Sequence, residues 1–435
     1  MSLRPHRMPP DLFDALAEGG GGPEAVRVLA AAQYSKHLLL LRSVLTTARA
    51  AGHGQAALAC RGYDLLTDAQ RHNAAAADAV IRHPSVGAWA LRTLRALRGG
   101  PAMSGAEPAG LCAVAAAAAI RARLSADIEV PPIGGAVMLP SLGSAAVAGG
   151  SATVRSAASG AAVLSAGEWI DIPADPHRDA PGWQALWHLR TGPFEVLIDD
   201  LDPFRMPATP DVAPRLGAAD LNRWDAVFHD AWRLLTEHHP EIAAEVVGAI
   251  RVIVPLSMPP RGQVSSSTAE NFGAIALSEP PDPRTFGVTF AHEVQHLKLS
   301  ALLDIVGLTR PDDGRRFYAP WRDDPRPVSG LLQGAYAYLG VSGFWRRQRH
   351  LDHGTAGIRA HAEFARWREA AANVVETLQS SGLLTPAGLD FVDGMTRTLD
   401  PWQHEPVPAE ALALARSEAE QHLADWHAAN GHVRA

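Results

Sequence analysis

The stretch Phe290-Ala291-His292-Glu293-Val294-Gln295-His296 decides how the rest of this chain is read. It holds the pattern His-Glu-x-x-His. On an α-helix, residues four apart share a face, so His292 and His296 can aim at one metal ion. Glu293 lies beside them and can reach a water held by that ion. The flanks predict a helix. Asp282 before Pro283 makes an N-cap followed by proline at the first helical position. Gly307 follows Leu297, Leu302, Ile305 and Val306, where a helix-ending glycine is expected. The five-residue motif alone does not separate this reading from one in which His292 and His296 are ordinary helix histidines.

Working outward, 435 residues are too many for one small core, and two or three domains are expected. With 47% hydrophobic and 20% charged residues the composition is globular. The net charge of -7 argues against non-specific nucleic-acid binding. Basic charge is nearly all arginine, since Lys36 and Lys298 are the only lysines. Cys60 and Cys112 make neither a disulfide framework nor a cysteine zinc site, and they fit a reducing cytoplasm. Met1 to Gly22 has no signal-peptide core, and the longest apolar run, Leu111–Ile120, is too short to span a membrane.

Residues 1–22, ending in four glycines, read as a loose lead-in. Residues 23–97 carry apolar positions at helical spacing, with Pro84 dividing or starting a helix, and Ala109–Leu124 is a further alanine-rich helix. From Ile128 the character changes. Val137–Pro140, Ala152–Val154, Trp169–Ile172 and Phe194–Ile198 read as strands. The acidic run Asp199-Asp200-Leu201-Asp202 lacks calcium-loop spacing and reads as a solvated turn. Leu221–Leu235 and Glu241–Ala249 are amphipathic helices. Ile250–Leu256 and Phe272–Leu277 are strands leading into the motif helix. An edge strand within Ser265–Leu277 would suit an extended peptide.

Beyond the motif helix, the loop Thr309–Pro327 contains Tyr318-Ala319-Pro320-Trp321-Arg322-Asp323-Asp324-Pro325-Arg326-Pro327. Its prolines stiffen it, and a stiff loop places side chains accurately. Arg322 and Arg326 suit a planar carboxylate, although they can equally pair with Asp323 and Asp324. Gly330–Gln348 is a helix on which Gln333 and Tyr336 are three apart. It can fold back antiparallel over the motif helix. Gly357–Leu378, a helix starting at Thr385-Pro386 and Pro408–Ala429 complete the chain.

Two histidines call for a third ligand. Leu299 and Leu302 stand where metzincins need glycine and histidine. Glu363 offers a downstream helical carboxylate. Asp304, eight residues past His296 at about 1.5 Å per residue, is too far along the same helix. Gln333 is an uncommon ligand type. The third position therefore stays open. With Zn²⁺, Glu293 would act as general base toward a water attacking a peptide carbonyl. With Fe²⁺, open positions would admit a 2-oxo acid and O₂, and an arginine would be needed for the remote carboxylate.

Several blocks, in order, resemble the His-Glu-x-x-His peptide-modification family of ribosomal-peptide gene clusters. They are Ser265-Ser266-Ser267 to Phe272-Gly273, His292 to Leu297, Tyr318 to Pro327, and Gly330-Leu331-Leu332-Gln333-Gly334-Ala335-Tyr336-Ala337. The matching core covers roughly residues 195–350. The resemblance implies an iron- and 2-oxoglutarate-dependent peptide β-hydroxylase, with iron at His292 and His296. Family members often show histidine where Gln333 stands, which puts Gln333 among the metal-site candidates. Arg326, or else Arg322, would grip 2-oxoglutarate. A precursor peptide, and other maturation enzymes of the same pathway, would be the partners.

The expectation is thus an α+β, mostly helical protein with three regions. These are a helical region over 1–125, a strand-rich region over 126–220 and a zincin-like metal-binding region over 221–435, its motif helix next to an edge strand. The competing functional readings are a zinc metallopeptidase with Glu293 as base and a non-catalytic peptide-binding module.

Overall fold

Asp282 caps the motif helix through its side chain. In a computed structural model of the protein, its Oδ1 accepts from the backbone N–H groups of Arg284 and Thr285, both at 2.9 Å. The structure describes residues 5–192, 194–207, 209, 211–260 and 262–431. The chain begins with helices α1 (Pro10–Ala17), α2 (Gly22–Ala50), α3 (Ala56–His72), α4 (Ala74–Ile81), α5 (Pro84–Leu97) and α6 (Gly110–Ala122). Strands β1 (Ala126–Val130), β2 (Ala136–Leu139), β3 (Gly143–Ala146), β4 (Ala152–Ala157) and β5 (Gly160–Ser165) follow. Next are β6 (Glu168–Ile172), β7 (Trp183–Ala185), β8 (Trp187–Thr191) and β9 (Phe194–Ile198). After them come α7 (Ala218–His238), α8 (Pro240–Ala249), β10 (Val252–Leu256), β11 (Ser265–Ser266) and β12 (Ala274–Ser278). The last helices are α9 (Pro283–Leu303), α10 (Val328–Gln348), α11 (Gly354–Ser380), α12 (Pro386–Gln403) and α13 (Ala409–Asn430). The α+β expectation holds, and among the described residues no helix is long and apolar enough to cross a membrane.

The chain forms two compact units that interleave in sequence. One is built from the residues up to Ala30, Ala226–Ala249 and Pro280 onward; the other from Ala31–Asp225 and Ile250–Glu279. This differs from three consecutive regions: the N-terminal helices and the strand-rich stretch share one core.

In that second unit α6 is central. Its alanines are buried almost without exception, and their small side chains let α3 and α4 pack close while β1, β2 and β4 also lie against it. Two antiparallel sheets run β1-β4-β5-β6 and β2-β3-β7. A third has the order β11-β12-β10-β9-β8, with β10 parallel to both β12 and β9. Every residue of β10 and β12 is buried, which suits parallel strands inside a sheet. Within Ser265–Leu277 the edge strand is only the two-residue β11, while β12, which begins at Ala274, is an inner strand. So short an edge offers few free ladder groups.

The first unit is helical. Contacts between α9 and α10 pair Ser300 with Gln333, His296 with Gln333, and Ala291 and Gln295 with Gly340. Residue numbers rise on one helix as they fall on the other, so α10 does fold back antiparallel. At Gly340 an added Cβ would lie 2.6 Å from Gln295 Cγ and 2.7 Å from the Ala291 carbonyl oxygen, so only glycine permits this approach. The motif helix ends at Leu303, before Gly307.

The lead-in is not loose. Leu16 and Ala17 of α1 are buried, and Phe13 packs its ring on Phe391 of α12. Buried Lys298 of α9 donates to the carbonyls of Gly19 at 3.0 Å and Gly20 at 2.9 Å and pairs with Glu245 of α8 at 2.7 Å. Glu245 also accepts from Gly22 N–H at 3.0 Å. The glycines turn their carbonyls inward to meet a charge that has left water.

Two predictions follow from these buried groups. Lys298→Met leaves Glu245 buried without its cation and should cost on the order of 3–5 kcal/mol in denaturant unfolding, while the double change with Glu245→Gln recovers part of the loss. His239 is buried, stacks on Phe344 and donates from Nε2 to Gln348 Oε1 at 3.0 Å. Burial holds its pKa down at about 4, below the usual 6.5. The unfolded chain binds that proton first, so the stability it supports is full above pH 6.5 and is lost as pH falls toward 4. His239→Gln should reduce that acid slope by one proton, about 1.4 kcal/mol per pH unit, in unfolding measured across the window.

Candidate metal centre

His292 and His296 sit one turn apart on α9, and their Nε2 atoms converge to 3.1 Å with the rings at 78°. Gln333 of α10 sets this geometry. Its Oε1 can only accept, so at 3.1 Å it receives a proton from His296 Nδ1 and leaves His296 Nε2 with a bare lone pair. The Gln333 amide nitrogen donates to Ser300 Oγ at 3.3 Å, which holds the side chain in that orientation. Burial first, then the neighbouring His296, lowers the His292 pKa to about 4, with Glu293 opposing. His292 is therefore neutral at neutral pH, the form that binds metal.

Two nitrogens this close repel unless a proton on one or a cation between them compensates. Glu293 bears on the choice. It is fully buried, its Oε1 lies 3.9 Å from His292 Nε2, and neither oxygen has a hydrogen-bond partner. A buried carboxylate without donors is costly. A divalent ion against the two nitrogens, with Glu293 next to it, removes both penalties, so the donor set fits such an ion. Among the described residues no third His, Cys, Asp or Glu joins the pair with all ligand atoms within 4.8 Å of one another.

Aromatic residues wall the site. Tyr338 of α10 meets the His292 ring edge-on at 5.3 Å. It lies between Trp321, stacked at 4.7 Å, and Trp367 of α11 at 4.4 Å. Trp321 belongs to the proline-rich loop, which a backbone bridge closes: Phe317 N–H donates to the Arg326 carbonyl at 2.8 Å and Arg326 N–H to the Phe317 carbonyl at 2.9 Å. The indole rests over Gly334, where a Cβ would lie 2.3 Å from Trp321 Nε1. Burial raises the Tyr338 pKa well beyond its usual value, so this phenol stays protonated and keeps a proton to donate. The sequence alone did not single out Tyr338 or its contact with His292. The signal available was its five-residue offset from Gln333.

The structure revises the other candidates. Gln333 meets the Nδ1 side of His296, away from the converging Nε2 atoms. Tyr336 does not share its face; the hydroxyl donates to the Leu16 carbonyl at 2.7 Å. Both oxygens of Glu363 are engaged, one by Arg359 and the other by Trp367 Nε1 at 2.5 Å. Asp304 is exposed at the end of α9. Arg322 and Arg326 both donate to Asp324, each at 2.9 Å, and do not touch the histidines. Burial raises the Asp324 pKa, but the two guanidinium groups outweigh it and hold the carboxyl below its usual range. Arg322 is near enough to Tyr338 to favour its ionised form.

No protein-family model matches the chain. A search of curated proteins returns no match either.

His292→Ala should remove the one equivalent of divalent ion assigned to His292 and His296 in a calorimetric titration. Gln333→Leu should weaken that binding by roughly 10–100-fold without abolishing it, as expected for a group that orients a ligand. Complete loss in both variants would make Gln333 a ligand after all.

Proposed function

We propose that this protein is an iron(II)- and 2-oxoglutarate-dependent hydroxylase acting on the β-carbon of a residue in a ribosomally made precursor peptide. The observation that carries the reading is the meeting of three separate sequence blocks. The motif helix, the loop around Trp321 and the helix of Gln333 come together through His296–Gln333 and His292–Tyr338–Trp321. Those are the blocks whose order resembles the peptide-modification family. We read α9 as the zincin-like helix of such a site.

His292 and His296 would hold the ion through Nε2. Iron there, with 2-oxoglutarate and O₂, would supply the oxidising power for C–H hydroxylation. The chain's own residues do the rest. Gln333 fixes the His296 tautomer. Glu293 keeps a negative charge next to the ion, sealed from bulk water by its burial. Tyr338 offers a phenol that remains a donor, and Trp321 and Trp367 exclude water around it.

Asp324 now occupies both loop arginines. In this reading it is a placeholder for the remote carboxylate of 2-oxoglutarate, which Arg326 would take with Arg322 alongside. The competing zinc peptidase draws on one observation, the buried Glu293 at 3.9 Å from His292, which suits a general base.

The test is anaerobic reconstitution with Fe²⁺, followed by O₂, labelled 2-oxoglutarate and the peptide encoded beside the gene. Succinate release coupled to a gain of one oxygen on intact peptide is expected. Cleaved peptide with Zn²⁺ alone and no succinate would establish the peptidase. Arg326→Leu should raise the half-saturating 2-oxoglutarate concentration on the order of tenfold or more, the loss of one or two charge-assisted hydrogen bonds, and spare metal binding. An unchanged co-substrate dependence would sink the arginine assignment.

A further inference from the structure

The acidic run after β9 is not the solvated turn its sequence suggests. Asp199, Asp200 and Asp202 are all buried, and Asp200 is paired with Arg215 at 2.6 Å. Asp199 and Asp202 have no such cation: among the described residues neither makes an ion pair. They meet His83, the residue before α5, with one ligand atom from each of the three within 4.8 Å of the others. All three lie in the unit that holds the three sheets.

Hydrogen bonding fixes what each atom offers. Asp199 Oδ1 accepts from the backbone N–H groups of Leu201 at 3.1 Å and Asp202 at 2.9 Å. Its Oδ2 is buried with no partner. Asp202 Oδ1 accepts from Phe204 N–H at 2.8 Å, and Asp202 also receives the Ser85 hydroxyl. Having given its one proton to a carboxylate, Ser85 Oγ must accept from His83 Nδ1 at 2.8 Å. His83 Nε2 is then a bare lone pair, and it too is buried without a partner.

Two of the three clustered residues thus each carry a buried polar atom with no hydrogen-bond partner among the described residues, His83 Nε2 and Asp199 Oδ2. A proton shared between Nε2 and Oδ2 would appear as a hydrogen bond, and the two atoms make none. Arg205, whose charge acts on both aspartates, gives Nη1 to the Asp202 carbonyl at 2.8 Å and Nη2 to the Ala213 carbonyl at 3.4 Å, and its buried Nε reaches neither carboxylate as a hydrogen bond. We infer that His83, Asp199 and Asp202 form a second metal site, independent of His292 and His296, that binds a first-row divalent cation and ties the end of β9 to the start of α5. One imidazole and two carboxylates, with no thiolate, select Zn²⁺, Mn²⁺ or Fe²⁺ over Cu⁺, and three protein donors are too few for Ca²⁺. A cavity of about 40 Å³ lined in part by Ser85, Trp89, Asp202 and Phe204 adjoins the cluster.

The experiment is elemental analysis of the full-length chain carrying His292→Ala and His296→Ala, which leaves only the proposed site. One equivalent of a first-row metal is expected to remain. Adding His83→Ala or Asp199→Asn should remove it. If those variants do not fold, the double-histidine variant is treated with chelator and titrated with Mn²⁺ and Zn²⁺, following melting temperature and paramagnetic resonance. A raised melting temperature with one bound ion supports the site. A double-histidine variant that holds no metal and is not stabilised by either ion overturns it.

Discussion

Helix α9 carries two charges inside the protein, and its surroundings are arranged by what each demands. Lys298 and Glu293 are five residues apart and both are buried. Neither can stay charged out of water without a partner. Lys298 is answered by three oxygens, from Glu245, Gly19 and Gly20. That answer explains why the N-terminal segment is ordered against this helix at all. Among the described residues neither Glu293 oxygen receives a hydrogen bond, and the nearest basic group it is paired with is the neutral His292 at 3.9 Å. One face of the helix is therefore a closed structural network, and the other is chemically incomplete.

The incompleteness sits where α10 comes closest. Gly340 lets the two helices touch, and the antiparallel register then delivers Gln333 to His296 and Tyr338 to His292. The same helix gives up a side chain at Gly334, so that Trp321 can lie on it and stack on Tyr338. Two glycines on one helix thus set two distances, one to α9 and one to the loop of Trp321. Packing of this kind is rigid, and it fixes the imidazole nitrogens before any ion arrives.

What was legible in the sequence was local. The N-cap at Asp282, the proline starts at Pro84 and Pro386, strand Phe194–Ile198 and the fold-back of the helix holding Gln333 follow from periodicity and capping, and all are observed. The misreadings were of groups whose partners lie far along the chain. Residues 1–22 read as loose because four glycines suggest freedom; their carbonyls are bound by Lys298, almost three hundred residues later. Gln333 and Tyr336 read as neighbours because they are three apart, yet one faces α9 and the other α1. The run Asp199–Asp202 read as solvated because acidic turns usually are, and its burial depends on His83 and Arg215. The interleaving of the two units is equally invisible to any local window.

One device recurs in both units. Gln333 Oε1 holds Nδ1 of His296, and Ser85 Oγ holds Nδ1 of His83. In each case an oxygen that must accept fixes the proton on one ring nitrogen and strips it from the other. The bared Nε2 of His296 meets Nε2 of His292 at 3.1 Å, and the bared Nε2 of His83 has no hydrogen-bond partner among the described residues. A core histidine with no role beyond packing gains nothing from this arrangement, since it leaves a lone pair out of water with no hydrogen to meet it. His239 and His37 show the ordinary solution. Each pairs a ring nitrogen with an oxygen from elsewhere in its own unit, and no unpartnered carboxylate oxygen lies against it among the described residues. The contrast sets histidines whose partners complete a core apart from the two on which the proposed metal sites rest.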